Sequence, residues 1–103
     1  MIRKILLLVN LSGPVQIDEV KEDISEAVGL ALDACEYSAE AKKIHYKPAI
    51  EPCQIVYDRD LIIKSLCFVL ENAIQHAPEQ STIEVVGQRI GETYRLEILD
   101  QGE

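Results

Sequence analysis

The chain has 103 residues, 48% of them hydrophobic and 27% charged, with a net charge of −8. That make-up fits one globular domain, or part of one, rather than a disordered segment. The negative balance argues against non-specific binding to nucleic acid or to an anionic membrane, since both need a basic face. A polyanionic ligand would need a bound cation, backbone amides or a basic partner to offset it.

Cys35, Cys53 and Cys67 are odd in number and lack CxxC spacing. Neither a disulfide framework nor a zinc site is indicated, and reduced, partly buried thiols in the cytoplasm are expected. The apolar run at residues 5–9 follows Arg3 and Lys4. It is far below the roughly 18 residues that span a bilayer, and too short for a signal peptide. No direct membrane contact is expected of this chain, and an anchor would lie elsewhere in a parent protein.

Ile2, Ile5, Leu6 and Val9 recur at helical spacing and predict a short amphipathic helix, broken at Ser12-Gly13-Pro14. A short extended piece follows at residues 15–17. Asp18 is a suitable N-cap, and Glu19, Glu22 and Asp23 would place negative charge at a helix's positive end. Val20, Ile24, Val28, Ala31 and Cys35 then form one apolar face, predicting a helix over residues 18–41. Gly29 inside it reads as a point of close packing.

Ile44, Tyr46, Pro48 and Ile50 alternate with polar or small residues and predict a strand, which Pro48 assigns to an edge or a bulge. Glu51-Pro52 turns the chain into a second strand over residues 53–57. Asp58 caps a helix that is apolar on most sides over residues 61–77, hence largely buried, with a polar stripe at Ser65, Glu71, Asn72, Gln75 and His76. Pro78 ends it. Residues 83–90 and 93–99 read as two strands joined at Gly91-Glu92. The order predicts an α+β fold, a two-layer α/β sandwich with helices on one sheet face.

Asn72 is an amide within an apolar helix, and such a group left unpaired when buried costs roughly 1–3 kcal/mol. Asp100, followed by Gln101-Gly102, falls in phase with Tyr94, Leu96 and Ile98 at a strand end. An amide oxygen suits Mg²⁺, a strand-end carboxylate can accept from an exocyclic amine, and glycine admits close approach. On residue pattern alone, Asn72 also fits a satisfied helix amide and Asp-x-Gly an ordinary turn. His45 and His76 read as surface residues.

Residues 57–77, YDRDLIIKSLCFVLENAIQHA, resemble the N box of the histidine-kinase ATP-binding domain, and ILDQG at residues 98–102 resembles its first glycine box. Residues 17–44 are similar to the family's first long helix and following strand, and residues 2–11 to the end of a dimerisation helix. The resemblance implies a Bergerat-type ATP-binding fold over residues 13–103, preceded over residues 1–12 by a dimerisation helix or linker. It implies ATP and Mg²⁺ as ligands, with Asn72 holding the metal and Asp100 the adenine amine. Gly102, Gln75 and His76 would also line the nucleotide. The parent would be a sensor histidine kinase in two-component signalling. It would pass the γ-phosphoryl group to a His on its own dimerisation domain, for relay to a response regulator.

Two departures stand out. Phe68 occupies the place of a second Asn, or of the Glu of related hydrolytic ATPases, and Gln75 that of a basic phosphate-side residue. The sequence also stops before the second glycine of the box and the lid, so the 103-residue piece is expected to bind Mg-ATP weakly or not at all and to be inactive alone. The alternative is a degenerate, non-catalytic module kept for protein contacts or homodimerisation.

Overall fold

The computed structural model describes residues 3–10 and 20–101. The expected break at Ser12-Gly13-Pro14, the Asp18 cap and Gly102 lie outside the described residues. In chain order the elements are β1 (Arg3–Asn10), β2 (Val20–Asp23), α1 (Ile24–Ala34), α2 (Glu36–Ala41), β3 (His45–Ile50), β4 (Gln54–Tyr57), α3 (Arg59–His76), β5 (Thr82–Ile90) and β6 (Thr93–Asp100). A four-stranded sheet runs β1-β6-β5-β3, and β2 pairs separately with β4. Helices α1 and α3 pack on each other, and α3 packs on β6. The result is the expected two-layer sandwich.

The hairpin of β5 and β6 organises the sheet. Ile90 opposite Thr93 closes it through the two residues Gly91-Glu92, and Gly91 takes the positive φ (60°) that such short turns favour. Tyr94, Leu96, Ile98 and Asp100 of β6, with Ile83, Val85 and Gly87 of β5, face the helices and are buried. Ile24, Ala27, Val28 and Ala31 of α1 and Leu66, Leu70, Ala73 and Ile74 of α3 cover them from above. Strand β3 runs parallel to β5 at one end of the sheet, so Pro48 sits on an edge strand as expected.

Several expectations need correction. Residues 3–10 are not helical: they form β1, antiparallel to β6, with Ile5 opposite Ile98 and Val9 opposite Tyr94. The segment carries a period of two in Ile5, Leu7 and Val9 as well as the helical spacing, and a ladder along β6 satisfies its backbone groups. The next helix begins at Ile24, not at Asp18. Residues 20–23 pair with β4, and the Asp23 carboxylate caps α1 through the Ser25 N–H at 2.9 Å. The helix is interrupted at Cys35, so α1 and α2 stand where one element was expected. Among the described residues a Cβ on Gly29 would meet nothing within 4 Å, so no close packing with them explains that glycine.

Helix α3 is also less enclosed than its composition suggests. Its cap is as expected, with the Asp58 carboxylate accepting from the Leu61 N–H at 3.1 Å. Leu61 and Phe68 are exposed, however, because α3 rests on the sheet and α1 through one face only.

Candidate functional site

The inward face of β6 ends at Asp100, which is buried, with 1% of its surface exposed. Three turns along, α3 carries Asn72 above the same end of the sheet. The register of β1 against β6 pairs Arg3 with Asp100, which brings a guanidinium between them. Arg3 Nη2 donates to Asp100 Oδ2 at 2.9 Å, and Nε donates to Oδ1 at 3.1 Å and to Oδ2 at 3.3 Å. The same Nη2 donates to Asn72 Oδ1 at 3.4 Å. One cationic group thus bridges the two residues that the sequence singles out. The Asp100 hydrogen bond holds the Arg3 guanidinium above its ordinary pKa, against the opposing effect of burial.

Gln75 and His76 lie elsewhere on α3. Gln75, with Ser38, Lys42, Phe68, Glu71, Asn72 and Ile74, lines a groove of about 410 Å³ between α2 and α3. His76 Nδ1 is 2.9 Å from the Asn72 carbonyl oxygen, a contact within the last turn of the helix. Asn72 stands between the groove and Arg3, whereas Gln75 and His76 share no hydrogen bond with Asp100 among the described residues. Lys42 closes the end of α3. Its ammonium donates to the carbonyls of Ile74 (2.8 Å), Gln75 (3.2 Å) and Ala77.

Arg3 and Lys42 both escaped the sequence reading. Arg3 looked like the basic start of an apolar run, and only its partner strand reveals its direction. For Lys42 the one local signal, a lysine just past an expected helix end, pointed to the helix before it and not to α3.

The donor set does not suit a divalent cation in this arrangement. Asn72 Oδ1 already accepts from a guanidinium, whose positive charge repels a metal ion at that oxygen. Phe68, one turn earlier, offers no donor atom, and among the described residues no three His, Cys, Asp or Glu side chains converge.

No family model matches the chain. The sensor protein PfeS of Pseudomonas aeruginosa is 33% identical over 63 residues, covering 55% of this chain. The chain spans 14% of the length of that curated relative. Among solved structures, a mycobacterial sensor histidine kinase, MprB, superposes with a TM-score of 0.65 at 11% identity, over 82% of this chain and 98% of that one. Acinetobacter baumannii histidine kinase AdeS gives 0.66 at 10% identity, over 84% and 68%. The catalytic domain of histidine kinase ThkA gives 0.64 at 9% identity, over 82% and 97%.

The chain has the histidine kinase catalytic-domain fold.

Within the histidine kinase catalytic-domain fold, α3 is the helix whose sequence resembles the N box and β6 the strand that leads to the Asp-x-Gly. The fold accounts for why residues 28 positions apart meet. Helix α3 packs on β6, and the Arg3 bridge from Asp100 to Asn72 shows that the end of β6 comes near the last turns of α3.

Proposed function

We propose that this chain is the nucleotide-binding part of a sensor histidine kinase. What supports the proposal is one observation: the fold brings Asn72, on the helix that resembles the N box, and Asp100, on the strand that leads to the Asp-x-Gly, to one end of the sheet, where a single guanidinium touches both. On this reading the buried Asp100 carboxylate accepts from the exocyclic amine of adenine. Asn72 serves the phosphate side and its Mg²⁺, though not while Arg3 engages its oxygen. Gln75, His76 and Gly102 border the nucleotide. The parent transfers the γ-phosphoryl group of ATP to a His on its dimerisation domain, for relay to a response regulator, and works in the cytoplasm. Phosphoryl transfer relies on positioning and charge neutralisation. Phe68 and Gln75 supply neither at the phosphate side, so the 103-residue chain binds Mg-ATP weakly and does not transfer phosphate alone.

The test is nucleotide binding in the parent kinase. Asn72→Ala should abolish the metal-dependent part of ATP affinity, and Asp100→Asn should erase the preference for ATP over inosine triphosphate, which lacks the amine. Unchanged affinity and selectivity in both variants would sink the assignment.

A second reading rests on Phe68, which is 76% exposed beside the α2–α3 groove. A large exposed ring in place of a polar phosphate-side residue suits a module that has exchanged catalysis for protein contact. Full-length protein that carries no nucleotide affinity would favour it.

A further inference from the structure

We propose that Arg3 is an internal occupant of the nucleotide site, holding Asp100 and Asn72 until a nucleotide displaces it. This rests on the nucleotide reading above and adds how access to the site is controlled. The guanidinium presents N–H donors to both oxygens of Asp100, the groups an exocyclic amine would need. The same guanidinium lies on Asn72 Oδ1, the oxygen a cation would need. Both anchors are therefore engaged by one side chain of the chain itself.

The geometry also allows release. The Arg3 side chain is 29% exposed while that of Asp100 is fully buried, so the bridge closes the site from the solvent side. Among the described residues, Arg3 and Asp100 form the last pair of the β1–β6 ladder. The side chain can swing outward, or the strand end fray, without disturbing Ile5, Leu7 and Val9 further along. The exit is local and reversible, and apparent ligand affinity falls by the fraction of molecules in which Arg3 is withdrawn.

The experiment measures binding of ATP and ADP, with and without Mg²⁺, to the 103-residue chain and to R3Q, which removes the charge and keeps much of the length. Circular dichroism checks that both are folded. If Arg3 is withdrawn in about a tenth of molecules, R3Q binds about tenfold tighter than the parent sequence. Equal, measurable affinities would overturn the proposal and leave the nucleotide reading intact. Weaker binding by R3Q would overturn it too, since Arg3 would then be serving the phosphates. Folded proteins that both fail to bind at millimolar ATP would overturn this proposal, since freeing Asp100 and Asn72 would then open nothing, and would leave the nucleotide reading to its test in the parent kinase. A measurement on the unaltered chain stands beside these in case R3Q fails to fold. The Arg3 Nε–H resonance should move on saturation with ATP, and a stationary signal would overturn the proposal.

Discussion

Lys42 Nζ lies 2.8 Å from the Ile74 carbonyl oxygen and also donates to the carbonyls of Gln75 and Ala77. It joins the end of α2 to the end of α3, the turn beyond Asn72. A helix leaves its last carbonyls without intrahelical partners, and a cation there answers both the hydrogen-bond need and the helix dipole. Lys42→Met keeps the aliphatic stem but removes the charge. It should lower stability by about 1–2 kcal/mol, a value between one charged hydrogen bond and a dipole contact. Urea denaturation checks this; an unchanged midpoint would show that water replaces the ammonium without loss.

Gly87 lies close against the Tyr94 ring on the neighbouring strand. A Cβ on Gly87 would stand 2.5 Å from Tyr94 Oη and 3.0 Å from its Cε1. Tyr94 cannot retreat, because it is fully buried and its hydroxyl donates to the Glu51 carbonyl at 2.6 Å. Gly87→Ala should cost about 1–3 kcal/mol, as overpacking of a filled core does. In a double-mutant cycle with Tyr94→Phe the cost should shrink, since the nearest clashing atom is gone. Additive losses would place the strain elsewhere.

Much of this fold was legible because its local signals and its packing agree. Asp58 and Pro78 bracket α3, Gly91-Glu92 closes the hairpin, and the alternation through Tyr94, Leu96, Ile98 and Asp100 runs inward as predicted. The failures came where two periods coexist or where pairing is distant. Residues 3–10 fit a helix and a strand alike, and what decides is β6, some 90 positions away in sequence and invisible to local spacing. Asp23 rather than Asp18 caps α1 because residues 20–23 are drawn into a ladder with β4. The site shared this fate. Asn72 and Asp100 could be named from their surroundings, but Arg3 enters only through the strand register.

Gly29 offers a clean test of helix propensity. It lies in α1, is exposed, and among the described residues nothing stands where a Cβ would project. Glycine in a helix interior is less favourable than alanine by about 1 kcal/mol, chiefly through backbone entropy in the unfolded chain. Gly29→Ala should therefore stabilise the protein by about that amount and leave nucleotide binding untouched. A destabilised variant would mean that something outside the described residues packs against this position.

Cys35 supplies a pH dependence. Burial, and then the neighbouring Cys67, push its thiol from 9.0 up to about 12. The folded state thus retains this proton where the unfolded chain gives it up. The contribution to stability is full below pH 9.0 and is lost as pH climbs toward 12. Thermal unfolding across that range should show a decline that Cys35→Ala lacks. Alkylation with iodoacetamide at pH 8 should also leave Cys35 the slowest of the three thiols, because the thiolate is the reactive form.

Phe68 separates the two functional readings most directly. Its ring is 76% exposed, so Phe68→Asn should change stability by no more than about 0.5 kcal/mol. The new amide would stand one turn before Asn72, where it could offer a second hard oxygen to a metal-bound phosphate. Combined with Arg3→Gln, which clears the Asn72 oxygen, it should raise Mg²⁺-dependent nucleotide affinity beyond the gain from Arg3→Gln alone. The measurement is the ATP-induced rise in thermal midpoint, with and without Mg²⁺, across the single and double variants. If the double variant gains nothing from Mg²⁺ while Phe68→Asn releases a protein partner from the parent, the ring serves docking and not a vacated phosphate subsite.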